Sequence, residues 1–350
     1  MDIYLYTLLA FVVFLAVIYL FTGISKYKIP ATSYPLIVSL GVIVAVKYAM
    51  DPILIYGDKY SYQTTFESLS IFNLWNGKDV GFSVYTYIIK QIADDYIFYF
   101  LVTAFLYLIG YFVFARSFFE KRYALFFLLS CFVSFGFSSY GVNTIRGGLA
   151  LSLLLIGISY HKKMIWFFVF SMLAILCHKS MLLPFVAFYL TRFNNTTKFY
   201  LYFWFLCLVI SFLNVSFITT FIQVILGESD DRYSSYMSEE TLERYKVGFR
   251  VDFIIYSAIP ILVGRFYLFK LKLKDVIYQR LFNMYLFANA IWLLVIRMAF
   301  TDRMAYLSWF LIPFILLYPL LKYPLPINQK KWVIIILLGI FGFTSFMYFK

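Results

Sequence analysis

Charge is what this chain has least of. Only 13% of its 350 residues are Asp, Glu, Lys or Arg, and 63% are hydrophobic, whereas soluble domains carry roughly 25% charged residues. A water-soluble fold cannot hide that much apolar side chain, so a soluble enzyme or binding domain is excluded. The 30 basic residues outnumber the 17 acids, but they are scattered through short segments between apolar runs. They make no continuous stripe, which excludes a nucleic-acid-binding face. Cysteine is equally sparse: Cys131, Cys177 and Cys207 lie in apolar runs without CxxC or Cys/His spacing, so they read as small packing residues. There is no phosphate-cradling glycine loop and no GxSxG elbow, which argues against nucleotide hydrolysis and serine-esterase chemistry. No basic n-region precedes the apolar run that starts at Ile3, so that run reads as a retained first helix.

What remains is apolar sequence in blocks of membrane-spanning length. The fold expected is all-α, a polytopic transmembrane helix bundle forming one integral membrane domain over residues 1–350. Taking about 20 apolar residues per crossing, about twelve spans are placed. They run near Ile3–Thr22, Tyr34–Met50, Tyr96–Ala115, Tyr123–Ser139, Ile145–Tyr160, Met164–Cys177, Ser180–Thr191, Phe199–Leu226, Val251–Phe269, Leu281–Ile296, Met304–Leu321 and Trp332–Phe349. Met164–Thr191 could also be a single crossing with His178 and Lys179 inside it. Parity favours two, because a merger would move the basic stretches Lys270–Arg280 and Lys322–Lys331 to the other side, against the positive-inside rule.

With twelve spans, the loops holding Lys26, Arg116, Lys162, Arg192, Lys270 and Lys322 fall on one side with Glu120 and Asp275 as their only acids. That side is assigned to the cytoplasm. Two longer segments, 51–95 and 227–250, then face outward. In the first, Tyr85, Ile88, Ile89 and Ile92 recur at helical spacing and predict an amphipathic helix in the membrane interface. In the second, the charge-rich SDDRYSSYMSEETLERYKVGFR predicts a short exposed helix.

This topology puts Asp58, Arg146, His178, Lys179, Arg250, Arg297, Asp302 and Arg303 at the outer ends of spans. Convergence of five cations there would suit a diphosphate, since Arg forks match phosphate oxygens and Lys supplies a point charge. A lipid-linked diphosphate is the substrate such a membrane site suggests. Each residue also has a plain structural reading. Arg146, in NTIRGGLA, could snorkel to headgroups, although the two glycines after it would admit a headgroup or another helix. His178 and Lys179, in LCHKSMLLP, could be interfacial polar residues. Asp302 could pair with Arg303 or Arg297, and Asp58, beside Tyr60 and Tyr62, could be an ordinary loop carboxylate. His161, next to Lys162 and Lys163, reads as part of a basic helix end, and Lys47 and Arg265 can snorkel. The two histidines fall on opposite faces and no DxD pair is present outside, so no metal site or cofactor is expected.

Three blocks carry a family resemblance: DKYSYQTTFES with GKDVGFSVYTYII in the first outer segment, NTIRGGLALSLLLIGISYHKKMIWFFVFSMLAILCHKSMLLPF in the middle, and DRMAYLSWFLIPF near the end. In this order they resemble the EpsG-like, Wzy-type membrane polymerases of bacterial surface polysaccharides. The middle block is the most specific, an Arg opening one span and a His-Lys pair closing the hairpin after it. The family often shows Arg-Gln where this chain has Arg146-Gly147, so any role of that amide is absent here.

The resemblance implies a glycosyltransferase of O-antigen, capsule or exopolysaccharide synthesis in the bacterial cytoplasmic (inner) membrane, with its active site facing out. Undecaprenyl-diphosphate-linked oligosaccharides would be donor and acceptor, and a chain-length regulator a possible partner besides the bilayer. The acceptor hydroxyl would attack the anomeric carbon with help from a base, His178 or Asp58. The imidazole, with an unperturbed pKa near 6.5 against about 3.9 for Asp, matches neutral pH better. Arg146, Lys179, Arg250, Arg297 and Arg303 would hold the diphosphate, supported by Tyr60, Tyr62 and Asp302, without metal. Two other classes stay open: a lipid-oligosaccharide flippase or other transporter, which usually carries charged residues near the bilayer midplane, and an outer-face O-acyltransferase or ligase.

Overall fold

A computed structural model describes residues 3–22, 34–51, 57–76, 79–121, 123–213 and 248–349, and every regular element in them is helical. Each expected apolar run carries helix. α1 (Ile3–Thr22), α2 (Tyr34–Met50) and α9 (Met164–Cys177) end where the sequence places them. The helix expected in 227–250 lies, except for its last three residues, outside the described residues, as do Lys26, Lys28 and Arg122.

The twelve-span count is met only in part. Among the described residues, four helical stretches are long and apolar enough to cross a membrane: Tyr96–Phe118, Val251–Lys270, Thr301–Lys322 and Gln329–Phe349. A fifth crossing is possible if Ala124–Phe132 and Phe135–Asn143, bent by 69°, count as one. Shorter apolar helices such as Ile145–Ser159, Met164–Cys177 and Thr197–Phe212 fall in the range of 10–17 residues, at most about 26 Å at 1.5 Å per residue, short of a hydrocarbon core of about 30 Å.

The chain divides into two units, Met1–Leu182 with Leu317–Lys350, and Leu183–Leu316. In the first, α5 (Tyr96–Phe118) lies along α8 (Ile145–Ser159), and α8 along α9. Small residues make these approaches possible, as expected where helices associate without water to drive them. Gly110 of α5 has no room for a Cβ, which would run into Ser152 of α8. The Ser152 hydroxyl instead donates to Leu106 O at 2.5 Å and accepts from Gly110 N at 3.0 Å. α6 (Ala124–Phe132) and α7 (Phe135–Ser138, continued by a π turn to Asn143) form the bent pair. At the bend, Val133 O accepts from Thr344 of the last helix, α16 (Gln329–Phe349), at 2.7 Å, and Phe137 O from Tyr107 at 3.1 Å.

Over its described residues, segment 51–95 carries more helix than the sequence suggests. It forms two helices, α3 (Gly57–Ser68) and α4 (Val80–Ile92), of which only the second is expected. α4 buries Phe82, Thr86 and Ile89 and leaves Ile88 and Ile92 exposed. Two lysines stitch the segment together by meeting the orphan carbonyls that every helix end leaves. Lys59 of α3 donates to Tyr48 O, Ala49 O and Asp51 O at the end of α2, at 2.9, 3.0 and 2.7 Å. Lys90 of α4 does the same for α3 through Phe66 O and Glu67 O, at 2.9 and 2.6 Å. Burial pushes the Lys59 ammonium down to about 8, and the Asp51 carboxylate opposes this in part.

The second unit is organised on α13 (Val276–Leu294), against which α11 (Thr197–Phe212) lies lengthwise, with α10 (Leu182–Leu190), α12 (Val251–Arg265), α14 (Thr301–Trp309) and the first part of α15 (Ile312–Lys322), as far as Leu316, completing the order. Its interior is tied by polar side chains that reach partners inside the protein. Asn289, fully buried, accepts from Trp204 Nε1 at 2.8 Å and donates to Ser257 and Ser308 at 3.2 and 3.0 Å. Trp309 adds a bond to Ser257 at 2.7 Å.

Candidate functional site

Asp79 is the centre of the site, and the sequence reading does not single it out. It stands at the N-cap of α4, where its own carbonyl accepts from Phe82 N and Ser83 N at 3.0 and 3.1 Å. Its carboxylate points the other way, into the protein, with only 1% of the side chain exposed. There Oδ1 accepts the backbone N–H of Lys179 at 3.2 Å, and Oδ2 lies 3.5 Å from His178 Nδ1 and 3.0 Å from Arg146 Nε. The Arg146 contact has ion-pair distance without the alignment of a hydrogen bond. A buried carboxylate is costly without such company.

Local geometry accounts for the meeting. α9 ends at Cys177, His178 turns extended at φ −158° and ψ 109°, and a short 3₁₀ turn over Lys179–Met181 follows. This turn frees the Lys179 N–H for an outside acceptor. α4 can come close because of Gly81, where a Cβ would fall 2.8 Å from Leu176 C and 3.0 Å from Cys177 N. Arg146 enters on the first turn of α8, just past the π turn. Gly147 beside it faces the site: a Cβ there would lie 2.7 Å from the Tyr140 ring and 3.5 Å from His178 Cδ2.

Exposure separates the roles. The side chains of Arg146 and His178 are 28% and 19% exposed, so both are open to a ligand, whereas the Asp79 carboxylate is not. The arrangement has a proton-accepting ring, a fork of N–H donors and one carboxylate that orients both. Among the described residues no group of three or more His, Cys, Asp and Glu side chains is placed to hold a metal ion.

The other expected residues distribute as follows. Lys179 joins the site by its backbone while its side chain is exposed. Asp58 lies on the first turn of α3, Tyr60 is exposed, and Tyr62 packs edge-on against Phe82 of α4 at 5.8 Å between ring centroids. Phe66 and Tyr99 stack at 5.0 Å behind them. In the second unit, Arg250 turns its fork to Asp252, at 3.0 and 2.7 Å, and stacks over Phe253. The edge expected to meet a diphosphate is thus turned to a carboxylate. Arg297 lies over Phe249, with its Nε buried and without a hydrogen bond among the described residues. Arg303 lies over the ring of Phe300, a residue with φ +54°. Asp302 accepts from Tyr306 at 2.7 Å, so the expected Asp302 to Arg303 or Arg297 ion pair does not form among the described contacts.

Asp79 left one signal in the sequence. An Asp directly before the periodic run VGFSVYTYII is an N-cap signature. That marks the start of a helix and says nothing of which way the carboxylate points.

Comparison with curated proteins and with solved structures returns no match. A family profile, described as the EpsG family, matches residues 34–350 and so covers α2 through α16 with Asp79, Arg146 and His178 inside it. The match takes in nearly all of an apolar, all-helical membrane chain whose buried carboxylate gathers an Arg and a His, and the chain belongs to the EpsG family of Wzy-type polysaccharide polymerases.

Proposed function

We propose that the chain joins undecaprenyl-diphosphate-linked oligosaccharide repeats at the outer face of the bacterial cytoplasmic membrane, extending an exopolysaccharide, capsule or O-antigen chain. The observation that carries this reading is the Asp79 carboxylate shared by Arg146 and His178. The acceptor hydroxyl attacks the anomeric carbon of the donor and its proton passes to Nε2 of His178. The bond from that carbon to the diphosphate breaks, and the lipid diphosphate leaves with the electron pair. Asp79 holds the Nδ1–H edge, so that Nε2 carries the lone pair, as in other carboxylate–histidine pairs. A general base of this kind contributes typically about 10²- to 10⁴-fold.

Negative charge grows on the departing diphosphate, where Arg146 and the Lys179 ammonium stabilise it. Arg297 and Arg303, and Arg250 on exchange of its Asp252 contact, extend the proposal on sequence grounds, with Asp302, Tyr60 and Tyr62 in support. Asp58 is the alternative base. The reaction as written requires no metal.

The test is the gel ladder of surface polysaccharide from a deletion strain. Single repeats accumulating outside the cell support the polymerase. Loss of all outer-face repeats would make the chain a flippase, and a normal ladder lacking acyl groups would make it an acyltransferase.

A further inference from the structure

In the second unit, α11 and α12 both meet α13 but leave a groove of about 420 Å³ between them. Its direction follows from what each helix touches. Thr197, at the start of α11, accepts from Gln279 near the start of α13, and Trp204 bonds Asn289 further along. Gly264, at the end of α12, packs against the Phe282 ring, and Ser257 bonds Asn289. α11 therefore runs with α13 and α12 runs against it. The groove runs from Lys198 to Phe205 on α11 and from Arg265 to Ala258 on α12, about 10 Å at 1.5 Å per residue, with Phe269 one turn beyond Arg265.

The two cations thus share one end of an apolar channel. Neither has a carboxylate partner among the described residues. The rim is apolar and outward-facing, with Phe205 61% and Leu262 63% exposed. Trp204 also lines the groove, and its N–H is already taken by Asn289. Ala258 keeps the far end open, because a longer side chain there would fill it. A groove that is cationic at one end, apolar along its length and open to the side matches the shape and charge of an anionic lipid. Basic pockets between membrane helices commonly take phospholipid headgroups.

We propose that this groove binds one anionic phospholipid of the surrounding leaflet, its phosphate between Lys198 and Arg265 and an acyl chain laid along Phe205 and Leu262. The site belongs to the second unit. It rests on the chain being a membrane protein and not on the polymerase reading.

Native mass spectrometry of the full chain tests it, after delipidation and addition of phosphatidylglycerol or phosphatidylcholine. The expected result is one phosphatidylglycerol retained about tenfold more than phosphatidylcholine, with the preference lost in a Lys198→Ala, Arg265→Ala double variant. Ala258→Phe, which leaves both charges in place, should reduce retention of phosphatidylglycerol by blocking the channel, and so guards against misfolding of the double variant. Equal retention of the two lipids overturns the proposal, as does undiminished phosphatidylglycerol on both variants. Displacement of the lipid by millimolar inorganic phosphate also overturns it, since the groove would then read a free anion. Polymer synthesis enters none of these readouts, so failure here leaves the proposed function standing.

Discussion

His178 Nδ1 stands 3.5 Å from Asp79 Oδ2 across 99 residues of chain, and the amide of the next residue, Lys179, donates to the other oxygen of the same carboxylate. The 3.5 Å contact is at the long end of hydrogen-bond range, and such contacts commonly tighten only when substrate is bound. One carboxylate therefore sets both the ring and the backbone that carries it.

Asp79→Asn keeps an acceptor for the Lys179 amide but removes the charge. With lipid-linked donor and purified protein, kcat should fall by about 10²-fold while KM for the donor changes little. His178→Ala should fall at least as far, and His178→Gln should not rescue it, because an amide cannot accept the proton. Near-normal kcat in His178→Gln would move the base to Asp58. A rise in KM alone for Asp79→Asn would make the carboxylate a binding prop.

Arg146→Lys should impair polymerisation almost as much as Arg146→Ala, with normal protein levels in the membrane. A lysine keeps the charge but loses both the Nε that meets Asp79 and the fork that matches a diphosphate. Wild-type polymer from the lysine variant would mean that the residue only snorkels.

Orientation is open to thiol labelling. Glu67→Cys on α3 should react with an impermeant reagent on intact spheroplasts, and Lys162→Cys should not. The three native cysteines are buried and give little background. The reverse pattern would turn the site to the cytoplasm and exclude an outer-face reaction.

Lys59→Met leaves three carbonyls at the end of α2 without their donor and should lower stability by about 1–3 kcal/mol. The pH dependence has a defined sign. The folded ammonium titrates near 8 and the unfolded one near 10.5, so between these values the unfolded chain binds more protons and the contribution of Lys59 becomes more favourable as pH rises. The difference in Tm between wild type and Lys59→Met in detergent should therefore widen from pH 7 to pH 10. A difference that stays constant with pH would mean that burial does not shift Lys59, and a narrowing one that its folded pKa is raised.

The apolar helices were legible because a bilayer demands long uncharged runs: α1 and α9 carry no charge, and α2 only Lys47 in its last turn. The break at Val133–Ser134 was not, because it falls inside an unbroken apolar run, and the partner that satisfies it, Thr344, lies 211 residues away. Arg146, His178 and Lys179 stood out as rare charges at span ends. Asp79 did not, because GKDVG reads as a turn and the burial of its carboxylate depends on α8 and α9. The sequence reading gave Lys59 and Lys90 no role, and their work as helix caps shows only when α2, α3 and α4 are placed together.

The Thr344 bond to Val133 has a consequence for the order in which the protein is made. The α6–α7 bend emerges 211 residues ahead of Thr344, yet one carbonyl at its apex finds its partner there. Backbone left unmatched in lipid is costly, so the bend is expected to settle only once α16 is in place. The shape of the chain upstream of Arg146 thus depends on a helix far downstream as well as on its own sequence.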